Sequence, residues 1–103
     1  MTDSIFHTDD VDNLFDAILL LKSREECYDF FRDALTVKEI QDIAQRLKAA
    51  QMLSDGRSYL DVSLETGMST ATISRVSKAL ERGTGGYKMI LSRIEKKENT
   101  EKL

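Results

Sequence analysis

A chain of 103 residues is long enough for one domain and too short for two, and the core it can build alone is small. Hydrophobic residues make up 41% and charged residues 32%, with no proline and no tryptophan, which argues against a loop-rich or all-β chain and for uninterrupted helices. The net charge of −3 would disfavour a nucleic-acid partner if it were spread evenly, but it is not. Residues 1–35 carry nine acidic and three basic side chains, whereas residues 36–103 carry nine acidic and twelve basic ones. The first third is therefore at −6 and the rest at +3, a mildly basic segment whose single copy would bind DNA weakly.

Cys27 is the only cysteine, so no disulfide closes within the chain. Beside Tyr28, Phe30 and Phe31 it is expected to be a buried apolar thiol. No apolar run approaches the ~20 residues of a membrane span. The acidic start MTDSIFHTDD lacks the basic region and apolar stretch of a secretory signal, so a cytoplasmic protein without a membrane partner is expected.

In chain order the pattern predicts six helices in a single domain over 1–103, with frayed ends at about 1–8 and 97–103. The first helix runs from about Asp9 to Leu21, where Val11, Leu14, Phe15, Ile18 and Leu19 form one apolar stripe. Asp9, Asp10 and Asp12 fall in its first turn, where the helix dipole favours carboxylates, so they read as a helix start and not as a metal site. Ser23-Arg24-Glu25-Glu26 is a capping box opening a second helix with Cys27, Phe30, Phe31 and Ala34 on its apolar side. Thr36-Val37-Lys38-Glu39 opens a third through Ile40, Ile43, Ala44 and Leu47 toward Leu53, and Asp55-Gly56 ends it. A last helix is expected from about Tyr87 to Lys97, with Tyr87, Ile90, Leu91 and Ile94 on one face. Gly83, Gly85 and Gly86 before it are a link and not a phosphate loop, because no strand precedes them and no Lys-Ser/Thr pair follows.

Between these lies the one specific signal, a helix-turn-helix at about 58–80. Two helices crossing steeply over a tight turn need a residue that tolerates positive φ, a small side chain at closest approach and an apolar plug. Gly67 meets the first requirement, Ser63 the second, and Val62, Met68, Ile73 and Val76 the third. Ser58 and Ser69 stand where the two helices need caps. The second helix begins with Ser69, Thr70, Ala71, Thr72 and Ser74, all small or hydroxylic, followed by Arg75 and Lys78. Small side chains let a helix N-terminus approach base edges in the major groove, and the two cations are placed for phosphates. These seven residues are the expected contacts to double-stranded DNA.

At Gly67-Met68-Ser69-Thr70-Ala71-Thr72-Ile73-Ser74-Arg75 the sequence resembles the Trp repressor family, and more closely its YerC/YecD branch. The segments Cys27 to Phe31, Leu35 to Ile40 and Ala44 to Leu47 fit the same branch, leaving only the two ends unmatched. The resemblance implies an all-α, six-helix fold and an intertwined homodimer whose outer helices build a shared core. It also implies two reading helices about one turn of DNA (~34 Å) apart, the spacing known for Trp repressor itself, and hence a near-palindromic operator. Arg46 and Arg75 match the two arginines that sandwich the corepressor tryptophan, and Thr36 matches the start of the helix whose neighbouring carbonyls hold its amino group. Val76 and Ala79 depart: the repressor has a glycine at the first position and an amino-group-binding serine at the second. A branched side chain in the pocket and a lost polar contact each cost on the order of 1–3 kcal/mol, so L-tryptophan is not expected to be the effector. Arg46 is then expected to make a structural ion pair.

The expected function is that of a bacterial, sequence-specific transcriptional regulator, a dimeric repressor with no cofactor, no metal and an effector that the sequence leaves unidentified. The alternative is a protein–protein adaptor built on the same scaffold, favoured by the acidic first helices. An enzyme is not expected. His7 is the only histidine and falls in the expected frayed start, and Cys27 has no neighbouring histidine or cationic helix start to activate it.

Overall fold

The computed structural model describes residues 6–101. Its helices are α1 (Asp9–Leu19), α2 (Arg24–Ala34), α3 (Val37–Ser54), α4 (Tyr59–Thr66), α5 (Thr70–Arg82) and α6 (Gly86–Glu101), and no strand occurs among the described residues. Backbone contacts cluster into two compact units divided between Val37 and Lys38.

In the first unit, the Thr8 hydroxyl accepts from the Val11 N–H at 3.2 Å and caps α1, with Asp9, Asp10 and Asp12 in its first turn as the dipole argument requires. The helix stops two residues earlier than the sequence pattern predicts. The Leu20 and Leu21 N–H groups turn back to the carbonyls of Ala17 and Ile18, the tighter i→i−3 bonding that closes many helix ends. At α2 the Ser23 hydroxyl accepts from the Glu26 N–H at 3.1 Å. The return bond of the box is displaced by one residue, because the Glu26 carboxylate accepts from the Lys22 N–H at 2.8 Å instead of that of Ser23. Neither α1 nor α2 contains a buried residue. The thiol expected to be buried at Cys27 is half-buried, and no described residue of the first unit is buried. Leu14, Phe15, Leu19, Leu20 and Tyr28 stand exposed.

Among the described residues, the buried apolar side chains all belong to the second unit. Ala49, Ala50 and Met52 of α3 meet Val62 of α4, Met68 of the turn, and Ile73 and Val76 of α5, with Leu53, Tyr87 and Leu91 packed against them. The two alanines are fully buried. Asp55-Gly56 ends α3 as expected. The Arg57 N–H bonds the Met52 carbonyl and the Gly56 N–H bonds that of Leu53, both at 3.0 Å, which is the Schellman pattern. Helix α6 is longer than predicted and runs to Glu101, so 97–101 are helical where fraying was expected. Lys96, Lys97, Glu98 and Glu101 in its last turns are good helix formers, and Lys97 lies 4.0 Å from Glu101 one turn on. The remainder of the expected frayed ends, 1–5 and 102–103, lies outside the described residues.

Candidate nucleic-acid interface

The helix-turn-helix is built by hydroxyls at each end of two short helices. The Ser58 Oγ accepts from the Asp61 N–H at 3.1 Å and starts α4. Gly67 ends it in the left-handed region, φ 72° and ψ 7°, and donates its N–H to the Ser63 carbonyl at 2.8 Å. Two further side chains fix the turn. The Ser63 hydroxyl donates to the Met68 carbonyl at 3.1 Å. Thr66 Oγ1 donates to the Val62 carbonyl at 2.6 Å and accepts from the Met68 N–H at 3.1 Å. The Ser69 Oγ then accepts from the Thr72 N–H at 3.2 Å and lies 3.0 Å from the Thr72 hydroxyl, opening α5. Thr66 was not singled out by the sequence. A Ser/Thr four residues after an apolar position inside a helix gives no signal distinct from a solvated side chain.

The apolar plug closes beneath this turn. Val62 and Ile73 are fully buried, and Val76 and Met68 are 4% and 9% exposed. With the plug below, the outer side of α5 presents Ser69, Thr70, Ala71, Arg75 and Lys78 to solvent. Thr72 and Ser74 are half-buried instead, and Ser77, absent from the expected set, is buried. The outward residues are therefore a small-residue N-terminal turn followed by two cations one helical turn or more further on. Such a surface can bring backbone close to a duplex and meet phosphates at its far end.

Arg75 also faces inward company. With Arg46, Thr72, Val76, Ala79 and Tyr87 it lines a depression of about 230 Å³. Arg46 and Arg75, matched above on family grounds, thus meet at one place. Thr36 belongs to the first unit and is not among these residues. The ion pair expected for Arg46 is absent among the described residues, and the depression it lines with Thr72, Arg75, Val76, Ala79 and Tyr87 contains no carboxylate. Val76 contributes its bulk to the same wall while remaining buried.

A polar network flanks α4. Arg57 Nε lies 3.2 Å from Asp61 Oδ2 and its Nη2 lies 3.1 Å from Glu65 Oε1, while Lys48 Nζ of α3 lies 3.6 Å from the other Glu65 oxygen. The hydrogen bond to Glu65, and next that to Asp61, pushes the Arg57 pKa above its usual value against the opposing effect of burial. The Asp61 carboxylate is thereby drawn to Arg57 and away from the reciprocal cap bond to Ser58 that its position suggests.

The family model described as Trp repressor protein matches residues 9–95. The chain belongs to the Trp repressor family. It is 51% identical over 89 residues to the uncharacterised protein YerC of Bacillus subtilis (strain 168), covering 86% of each chain, which agrees with the branch the sequence resembles. Among solved structures it is similar to a TrpR-like protein from Eubacterium eligens, with a TM-score of 0.87 and 46% identity over 89% of this chain and 95% of that one. A candidate Trp repressor from Staphylococcus aureus also matches with a TM-score of 0.87, at 48% identity over 92% and 95% of the two chains. The all-α fold with its helix-turn-helix is thus that of the family. No described helix is long and apolar enough to cross a membrane.

Proposed function

We propose that this chain is a dimeric, sequence-specific DNA-binding regulator, acting as a repressor through α5 on a near-palindromic operator. The observation that carries the reading is the outer surface of α5. A left-handed turn at Gly67 and a closed plug hold a helix whose exposed start is Ser69, Thr70 and Ala71, with Arg75 and Lys78 following. Small and hydroxylic groups suit close approach to base edges, and the cations suit phosphates. Ser74 and Thr72 join this set at its half-buried flank, Thr72 with its hydroxyl held by Ser69.

The second copy is supported by what the single chain leaves uncovered. Helices α1 and α2 have apolar stripes but no buried residue, and Leu14, Phe15, Leu19 and Leu20 are 42–81% exposed. Fully burying a side chain of this kind contributes about 1.5–3 kcal/mol, so a shared core offers a gain comparable to the whole stability of a small domain. Two readers on one duplex also double the number of phosphates engaged, which compensates for the mild charge of each. L-tryptophan is not the effector in this proposal. Val76 fills the wall of the Arg46–Arg75 depression, and Ala79 offers no hydroxyl there.

An adaptor function has one observation in its favour: Leu60 and Leu64, one turn apart on α4, are 66% and 75% exposed. Fluorescence anisotropy on labelled genomic fragments separates the two readings. The regulator retains particular fragments at low salt and loses them steeply as salt rises. Indifference to DNA at low salt would favour the adaptor and overturn the regulator.

A further inference from the structure

We propose that Arg57 is a positioning residue of the DNA reader, holding α4 through a two-carboxylate clamp on Asp61 and Glu65 that Lys48 extends to α3. The inference rests on the DNA-binding reading above and concerns how the motif is kept in place. The closest backbone packing in the second unit is that of α4 on α5 and of α5 on α6. Helix α4 is only eight residues long and contributes Val62 to the buried core, while Ser63 and Thr66 hold its far end at the turn. The polar network adds a side-chain constraint from the end of α3, where the Arg57 N–H bonds the Met52 carbonyl at 3.0 Å. Arg57 sits just before the Ser58 cap and reaches two successive turns of α4, Asp61 at 3.2 Å and Glu65 at 3.1 Å, with separate nitrogens of one planar group. Lys48 holds the second oxygen of Glu65 from α3 at 3.6 Å. Gly67 and the turn that aims α5 follow directly from the far end of this helix, so a rotation of α4 is passed to the reading surface.

Isolated exposed ion pairs contribute little to stability, and each member here is about half exposed. A fork held by two carboxylates on one helix has a different consequence, because it restricts geometry even where its net energy is small. A compact ammonium cannot span both acceptors in the same way, so Lys is not an equivalent replacement.

The sign of one substitution separates positioning from simple charge. Removing two negative charges from a DNA-binding surface should tighten binding if only charge matters. If Arg57 positions α4, Asp61→Asn with Glu65→Gln releases the clamp and weakens binding although the protein has become more positive. The measurement is anisotropy of the full chain against a duplex recovered by selection from a randomised library, with sheared genomic DNA as the non-specific control and circular dichroism to verify folding. Arg57→Ala is expected to weaken specific binding roughly three- to tenfold, an effect on the scale of one displaced charge-assisted contact. Arg57→Lys is expected to recover only part of it. The Asp61→Asn/Glu65→Gln pair is expected to weaken binding in the parent and to weaken it less on the Arg57→Ala background, where only the Lys48–Glu65 contact is left to lose.

Tighter binding by the carboxylate-free variant in the parent, or an Arg57→Lys variant equal to the parent, would overturn the assignment while leaving the DNA reader intact. Failure of the parent chain to bind any duplex would instead overturn the DNA reading, and this assignment with it.

Discussion

Replacing Gly67 isolates the contribution of backbone conformation to the reader from that of packing. Its φ of 72° lies in the left-handed region, and a Cβ built there meets nothing within 4 Å. A substitution in this structure therefore adds strain without a steric clash, and the cost is that of placing an L-residue in the left-handed well. Gly67→Ala is expected to lose about 1–2 kcal/mol, partly offset by the smaller entropy of its unfolded chain. For a domain of this length a loss of about 1 kcal/mol lowers the midpoint of melting by roughly 4–8 °C. Gly67→Asn should lose less, since a short amide tolerates this region, and Gly67→Val more, because a β-branched residue is worst suited to it. Urea unfolding followed by circular dichroism, at one fixed protein concentration to hold any association constant, gives the order Gly, Asn, Ala, Val. An alanine variant as stable as the parent would refute the reasoning, as would three variants of equal stability. Either result would mean that the left-handed turn is not what holds α4 and α5 in place.

Ile73→Ala removes one of the two largest fully buried side chains and is expected to cost about 2–5 kcal/mol in the same unfolding measurement. Thr66→Val deletes the hydroxyl that bonds both the Val62 carbonyl and the Met68 N–H, and should lose about 1–3 kcal/mol, chiefly from the amide left without a partner. Thr70→Ala and Lys78→Ala should differ in kind when bound duplexes are compared. The first should relax the base preference, whereas the second should weaken all sequences similarly and lower the salt slope by about one. Calorimetry with L-tryptophan should show no binding to the parent chain. Val76→Gly combined with Ala79→Ser should introduce it if these two positions are what close the depression to the indole and amino group.

What could be read in advance was what local chemistry determines. Ser23, Ser58 and Ser69 each cap the helix that their spacing predicts, because a hydroxyl three residues before a free N–H has one short-range partner to satisfy. Gly67 and the four plug residues were legible for a related reason: the crossing of two short helices leaves few positions for a small, an apolar or a left-handed residue. The Arg57 network was not legible. It joins α3, a turn and α4 through side chains up to seventeen positions apart (Lys48 to Glu65), and charged residues at helical spacing are more often a solvated surface. Cys27 is half-buried despite its aromatic neighbours, because a stripe of apolar residues indicates which side of a helix is to be covered and not by what. The ion pair expected for Arg46 has no partner among the described residues, and the side chains that share its depression carry no carboxylate.

If two copies of this chain read one duplex through α5, a footprint on DNA selected from the genome must be paired. Two protected half-sites of related sequence are expected about one helical turn (~34 Å) apart, bound by a dimer of the chain, with protection lost steeply as salt rises. Protection of a single unpaired site by one chain, or retention of no genomic fragment at low salt, would contradict it.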